Sequence, residues 1–243
     1  MTEKLRIRNV SVQYGKLLVV KNLDISIKDG EFISLVGSSG CGKSTIINAI
    51  AGFIKPIKGN IFLDNIQINQ PTQKIGIIFQ NFELFPWKTV FENIAFGLRL
   101  YSTNEKEIKK RVMDYTKSME LNGFENYYPR QLSEGMKQRV GLARTIINNP
   151  EIVLMDEPFG ALDYLTKLKM QNFLTQLLSN KKITVLFVTH DIDEAIKLSN
   201  RVVVLSKRPA RILDIISINK EKISIEDTIK IREKILHLLQ NDE

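Results

Sequence analysis

The chain has 243 residues, 43% of them hydrophobic, and its 35 basic and 27 acidic side chains leave a net charge of +8. This composition belongs to a soluble globular protein with a sizeable core and excludes general disorder, and the single cysteine, Cys41, excludes a disulfide scaffold. No apolar run nears the roughly 20 residues of a membrane span, and the opening MTEKLRIRN lacks the apolar centre of a signal peptide, so the chain is expected to stay in the cytoplasm.

The positive excess is uneven: +5 over residues 1–79, +3 over 80–150 and zero over 151–243. It suits an anionic partner (nucleotide phosphates, nucleic acid or a membrane surface) and equally plain solubility. In chain order, residues 5–10, 17–20 and 23–27 pattern as short half-buried strands. Residues 32–36 form a continuous apolar strand that runs into Gly37. Residues 44–53 pattern as a helix stopped at Lys55-Pro56. Residues 61–68 alternate as one strand, and 75–79 read as a buried strand. From about 82 to 150 the pattern turns helical, as at 105–119 and 138–148, which predicts a helical insertion. Buried strands resume at 152–155 and 184–188, followed by strands at 202–205 and 212–218 and a last helix at 225–239. Strands alternating with helices predict an α/β core with a mainly parallel sheet.

Residues 37–44, GSSGCGKS, fit the phosphate-binding pattern G-x-x-x-x-G-K-[ST] between a predicted strand and a predicted helix. Gly37, Gly40 and Gly42 let backbone N–H groups converge on phosphate oxygens. The helix N-terminus adds its positive end. Lys43 supplies a charge to the β- and γ-phosphates, and Ser44 offers its hydroxyl to Mg²⁺. Ser38, Ser39, Cys41 and Thr45 complete the expected nucleotide-binding run. Cys41 has two readings: a small residue that fits the loop, which is preferred, or a thiol acidified by the helix N-terminus. Only the second predicts that alkylation blocks nucleotide binding.

The strand at 152–155 ends in Asp156-Glu157, at the edge where α/β sheets bind ligands. Asp156 is placed to hold Mg²⁺ through water, and Glu157 to act as general base on the attacking water. His190 follows the strand at 184–188 and reads as a sensor of the γ-phosphate. His237 reads as a surface residue.

Further elements fall in order along the chain. Tyr14 lies 23 residues before Gly37, and Gln80 closes the strand at 75–79. Leu132-Ser133-Glu134-Gly135-Met136-Lys137-Gln138-Arg139 places Ser133 23 residues before Asp156, and Gly160-Ala161-Leu162-Asp163 follows. With these motifs the sequence resembles the ATP-binding subunit of an ABC transporter over roughly residues 4–218. The resemblance implies an α/β fold: a P-loop NTPase core with a mainly parallel sheet, an N-terminal antiparallel β subdomain and an inserted helical subdomain. It implies one ATP-binding domain over 1–243, with the insertion at about 82–150, and ATP and Mg²⁺ as cofactors. Tyr14 would stack on adenine, and Gln80 would reach the Mg²⁺ and attacking-water region. Ser133 and Gly135 would contact the γ-phosphate of ATP held by a second copy of the chain, and Asp163 would couple the two sites. The implied partners are that second copy, membrane permease subunits and, indirectly, a solute-binding protein, at the cytoplasmic face of the membrane. Glu134 stands where the family carries glycine, and its carboxylate is expected to turn to solvent, away from the phosphates.

Residues 81–90, with Glu92 and Asn93, resemble the segment that follows the Q-loop in importers of nitrate, sulfonates and taurine, some of whose relatives carry heterocyclic pyrimidines. Ser206-Lys207-Arg208-Pro209-Ala210-Arg211-Ile212 resembles a segment of the same group. Phe82, Phe85 and Trp87 either line an apolar groove for the membrane subunit or pack the helical core. The resemblance therefore implies an ATPase that energises import of a small anionic or heterocyclic solute. The rival is a soluble ABC-type ATPase acting on nucleic acid or an assembly, for which the +8 charge speaks and the absence of a basic run interleaved with aromatics speaks against.

Overall fold

In the computed structural model, residues 2–101, 104–160, 162–220 and 222–242 are described. Ten strands among them are β1 (Glu3–Tyr14), β2 (Leu17–Lys28), β3 (Phe32–Val36), β4 (Lys58–Leu63), β5 (Ile66–Gln67), β6 (Ile75–Ile78), β7 (Ile152–Asp156), β8 (Thr184–Thr189), β9 (Arg201–Leu205) and β10 (Ile212–Ser217). The continuous apolar runs become a six-stranded sheet of order β10-β9-β3-β8-β7-β6. It is parallel from β9 to β6, and β10 joins the edge antiparallel to β9. Every residue of β3 and β8 is buried, because a parallel sheet is covered on both faces. Alternate residues serve opposite sides. Ile33, Leu35, Ile152, Leu154, Leu186 and Val188 join one core, while Phe32, Val153, Met155, Val185 and Phe187 join another.

Four strands form a second, antiparallel sheet of order β2-β1-β4-β5, whose buried side closes the first core together with helix α1 (Lys43–Ile50). The other core is covered by α2 (Val90–Tyr101), α3 (Glu105–Ser118) and α4 (Glu134–Ile146), which stand between β6 and β7, and by α5 (Tyr164–Lys181). A smaller cluster joins α6 (Ile192–Leu198) and α7 (Ile225–Gln240) to β9 and β10.

Local chemistry moves several boundaries from their sequence positions. The strands expected at 17–20 and 23–27 are one strand, β2, since register shifts in its pairing with β1 absorb the polar Lys21 and Asn22. Residues 61–68 are not one strand but a hairpin. Asp64 and Asn65 adopt φ of 46° and 65°, the left-handed pair that a tight turn between strands demands. Helix α1 stops at Ile50, before the Lys55-Pro56 boundary. Gly52 at φ +80° donates to Ala49 O, and Phe53 N–H donates to Asn48 O, a Schellman ending that satisfies the last carbonyls. Helix α4 starts at Glu134, four residues before the predicted helix, because Ser133 caps it by accepting the Met136 N–H.

Two glycines separate backbone strain from steric clash. Gly123 has φ +87° with open space around a would-be Cβ, whereas Gly59 in β4 has φ +80° and a would-be Cβ 2.3 Å from Arg8 O of β1. Left-handed backbone costs a non-glycine residue about 1–2 kcal/mol, so Gly123→Ala should lower Tm by about 2–8 °C in a chain of this size. Gly59→Ala should lower it at least twice as far. Equal falls in calorimetry would show that β1 gives way without cost.

Candidate functional site

β3 ends at Val36, and the loop from Gly37 to Gly42 turns the chain into α1. Gly40 has φ +73° and Gly42 φ +129°, conformations open to glycine. At Gly42 a Cβ would also lie 3.1 Å from Val19 O. No side chain caps α1. Its first intrahelical bond is donated by Ile46 to Gly42 O, so the N–H groups of Lys43, Ser44 and Thr45 face outward at the positive end of the helix, an arrangement suited to an anion.

Lys43 is buried, and its Nζ donates to Gly37 O at 2.9 Å and Ser38 O at 3.1 Å. It also stands 4.0 Å from Glu157 Oε1. Ser44 hydrogen-bonds Asp156 behind the loop. Burial pushes the Asp156 carboxyl above the usual carboxylate range and the nearby Glu157 charge adds to the rise, while Ser44 and Lys43 work against it. Glu157 itself sits at φ +46°, a left-handed backbone rarely taken by a side-chain-bearing residue. Its N–H donates to Val188 O at 2.9 Å, and its Oε2 meets His190 Nδ1 at 2.9 Å. The imidazole is largely exposed, at 62%. A carboxylate held between an ammonium and an imidazole at the mouth of a phosphate-binding loop can orient and deprotonate water.

A cavity of about 330 Å³ runs over the loop, lined by Tyr14, Leu17, Val19, Ser39, Gly40, Gly42, Lys43, Ser44, Thr45, Glu157 and Arg208. One end is aromatic and aliphatic, and the other carries charges and N–H groups. Tyr14, Ser39, Gly40, Gly42, Lys43, Ser44, Thr45 and Glu157, all expected at a nucleotide site, therefore meet here. Leu17, Val19 and Arg208 were not expected. Arg208 follows strand β9 at the ligand-binding edge of the sheet, and that position is the signal that would have found it.

Other predicted residues lie elsewhere. Gln80 lines a separate groove of about 370 Å³ with Asn81, Leu84, Pro86, Pro129 and Arg130, and its Nε2 is 3.1 Å from a would-be Cβ of Gly160. Ser133 and Gly135 sit at the start of α4 and line neither the cavity nor that groove. Glu134 turns its carboxylate to Lys137 Nζ at 2.6 Å. Asp163 is exposed, and hydrogen bonds from Thr166 hold its carboxyl below the usual range. Ala161, in the same predicted run, lies outside the described residues.

The aromatic trio divides between its two readings. Phe82 is buried and would meet a Cβ on Gly141, whereas Trp87 is 70% exposed. Phe85 lies between, with ring centroids 4.6 Å from Phe96 and 5.8 Å from Trp87.

Cys41 corrects the acidified-thiol reading. Its side chain is buried beneath the loop, with Sγ 2.9 Å from a would-be Cβ of Gly37, and burial pushes the thiol up despite the pull of Lys43. It is a small residue that fits.

The family model described as ABC transporter matches residues 20–160. An uncharacterized ABC transporter ATP-binding protein of Methanocaldococcus jannaschii is 41% identical over 250 residues, covering 100% of this chain and 93% of the relative. An aliphatic sulfonates import ATP-binding protein, SsuB of Bacillus cereus, is 45% identical, over 85% of this chain and 81% of its own. Among solved structures, a dimeric post-hydrolysis state of an ATP-binding cassette bound to ADP and Pi matches at TM-score 0.76 and 34% identity, over 88% of this chain and 99% of that one. The cbiO1 chain from Clostridium perfringens, part of the ABC transporter complex cbiONQ, matches at TM-score 0.83 and 27% identity, over 99% of this chain and 100% of its own.

Two outcomes follow from the burial of these groups. Iodoacetamide should label Cys41 in the folded chain far more slowly than in urea; equal labelling rates would restore the reactive-thiol reading. In chelating buffer, Asp156→Asn should raise Tm at neutral pH by a few degrees, because a neutral isostere removes a charge that partial burial disfavours. The raised pKa means that the folded state holds an extra proton above the ordinary value near 3.8. The wild type therefore loses stability as pH rises through that window, and its deficit against Asp156→Asn should shrink on acidification. A lower Tm for Asp156→Asn at neutral pH would contradict this.

Proposed function

The chain belongs to the ABC transporter family as an ATP-binding, ATP-hydrolysing subunit, and on that premise we propose that it energises import of a small anionic solute of the sulfonate, nitrate or taurine type through a membrane permease. The observation that carries the solute class is the 45% identity to an aliphatic-sulfonate import subunit over 85% of the chain. Pyrimidine-like heterocycles are the next solutes to test. No helix among the described residues is long and apolar enough to cross a membrane, so the membrane span would come from the permease, with this chain at the cytoplasmic face. The whole chain would act as one ATP-binding domain, its helical segment at about 82–150 serving as the inserted subdomain.

The cavity supports a division of labour along ATP. Tyr14, Leu17 and Val19 would receive the adenine, and Gly37–Thr45 the phosphates. The N–H groups of the first turn of α1 and the Lys43 ammonium would meet the phosphate oxygens. Lys43 would exchange its bonds to the Gly37 and Ser38 carbonyls for them. Glu157, turned by its left-handed backbone toward Lys43 and His190, would take a proton from the attacking water, and His190 would hold the γ-phosphate and the carboxylate in register.

The donor set fits Mg²⁺. Ser44 and Asp156 offer hard oxygens at the loop, burial disfavours the Asp156 charge more than Ser44 and Lys43 compensate, and Gln80 would approach from its loop. No group of three or more His, Cys, Asp or Glu that could hold a metal occurs among the described residues, which suits an ion that shares its shell with phosphates. Bound there, Mg²⁺ would neutralise charge on the β- and γ-phosphate oxygens.

One chain would hold half of each site. Ser133 and Gly135 stand away from the cavity of their own chain, and the likeness to a dimeric cassette bound to ADP and Pi supports their meeting ATP on a second copy. Asp163, exposed at the start of α5, would join the two copies. The groove beside Gln80, with the exposed Trp87 and the partly buried Phe85 nearby, would receive the permease. A solute-binding protein would act through the permease. The relatives give the nucleic-acid reading no support.

Glu157→Gln should still bind Mg–ATP, lose about 10²–10⁴ in hydrolysis and gather as a dimer in light scattering with ATP, whereas Lys43→Ala should lose nucleotide binding. Wild-type turnover in Glu157→Gln would remove the base. Copurified with its permease, the chain should hydrolyse ATP faster when alkanesulfonate-loaded binding protein is added. Stimulation by DNA or RNA instead would favour the soluble ATPase.

A further inference from the structure

Arg208 enters the nucleotide cavity from an element that the P-loop, the two acids and the histidine do not account for. It lies on the connection from β9 to β10, and β9 is the direct neighbour of β3. Its guanidinium forks over one acceptor: Nε at 3.2 Å and Nη2 at 2.7 Å both donate to the carbonyl of Gly40. Gly40 is the loop residue held at φ +73°. A guanidinium carries five N–H donors in a fixed plane, so two are spent on Gly40 and three remain. Among the described residues no carboxylate pairs with Arg208, and Nη1 makes no hydrogen bond.

The connection that carries Arg208 is tied to the cavity wall. Ala210 N–H donates to Val19 O at 2.8 Å, and Lys21 N–H donates to Ala210 O at 2.9 Å. Arg211 N–H donates to Ser206 Oγ at 3.0 Å. At the far side, Lys207 N–H donates to the Asp242 carboxylate, beyond α7. The segment that carries the arginine is thus fixed through Ala210 to Val19, on the adenine side, while the Arg208 side chain is fixed to Gly40, on the phosphate side.

The charges of the lining do not balance. Lys43 and Arg208 are the cations of the cavity and Glu157 is its one carboxylate, and that carboxylate already faces Lys43 and His190. The surplus charge belongs to Arg208, and the anion that would meet it is the one that the P-loop is built to hold.

We propose, resting on the reading of this cavity as the ATP site, that Arg208 is a further nucleotide-binding residue. Its remaining N–H donors reach the phosphate chain of the bound nucleotide while the others hold the Gly40 peptide in place. Charge-assisted bonds to phosphate are about twice as strong as neutral ones, and their removal is expected to be felt in proportion to the phosphate charge.

The test is calorimetric titration of the full chain with Mg–ATP, ADP, AMP and adenosine at two salt concentrations. Arg208→Gln keeps a neutral donor for Gly40 but removes the charge. It should weaken ATP about tenfold, ADP less and AMP least, leave adenosine unchanged, and flatten the salt dependence of ATP binding. Arg208→Lys keeps the charge and should recover most of the ATP affinity, which also separates the effect from misfolding. ATP affinity in Arg208→Gln within twofold of wild type would overturn the proposal. So would an equal loss for all four ligands, since that marks a latch for the loop alone. Wild-type protein that binds none of the phosphorylated ligands would instead overturn the underlying reading of the site, and the proposal with it.

Discussion

The register of three parallel strands is the constraint on which everything else rests. β3 pairs with β8 so that Val36 opposes Thr189, and β7 pairs with β8 so that Asp156 opposes Val188. The strands therefore end level, and the next residues in each are Gly37, His190 and Glu157. The Glu157 N–H adds one more rung, to Val188 O. Because side chains alternate along a strand, a slip of one residue would swap the two cores and turn the acids away from the loop. The apolar faces that fix the register are thus also what fix the distances among Lys43, Glu157 and His190. This is how hydrophobic burial far from the chemistry positions the chemistry.

The site itself is poorly stable on its own terms. Asp156 is a charge that burial disfavours, Glu157 occupies a left-handed backbone, and Lys43 satisfies its ammonium with loop carbonyls. Each of these costs is offset by the surrounding core, where Val153, Leu154, Val185, Leu186 and Val188 are almost wholly buried. A cation near Asp156 and phosphates near Lys43 would relieve two of the three. Ligand binding should therefore stabilise the fold by mass action, and the relief of these costs enters as a lower Kd.

What the sequence makes legible follows from how local each signal is. The strands β3, β7 and β8 announce themselves as unbroken apolar runs, and GSSGCGKS needs only its neighbours to be understood. The fold class and the nucleotide cavity follow from these. Helix α5 gives no such signal, because Met170, Leu174 and Leu178 are buried while Tyr164 and Leu165 are exposed at the helix start, so its apolar stripe is blurred. The hairpin at Asp64-Asn65 hinges on a left-handed pair and the ending of α1 on the left-handed Gly52, which hydrophobic periodicity does not register. Arg208 shows in the sequence only as a residue that follows a predicted strand, within a segment resembling a group of importers; its meeting with Gly40 spans 168 positions and exists only once β9 lies beside β3. Cys41 is the converse case. Its motif position leaves an acidic thiol open beside the preferred reading of a small residue that fits, and burial of the side chain decides for the small residue.

The proposed ATPase cycle turns on a site split between two chains, with the P-loop cavity of one facing the α4 start of the other. The most direct measurement is disulfide cross-linking between two differently tagged chains, one carrying Ser39→Cys and the other Gly135→Cys, both with Cys41→Ala and Glu157→Gln. With Mg–ATP, a covalent heterodimer should appear on a non-reducing gel, and without nucleotide it should be scarce. Chains that bind ATP yet yield no such heterodimer would contradict the split site.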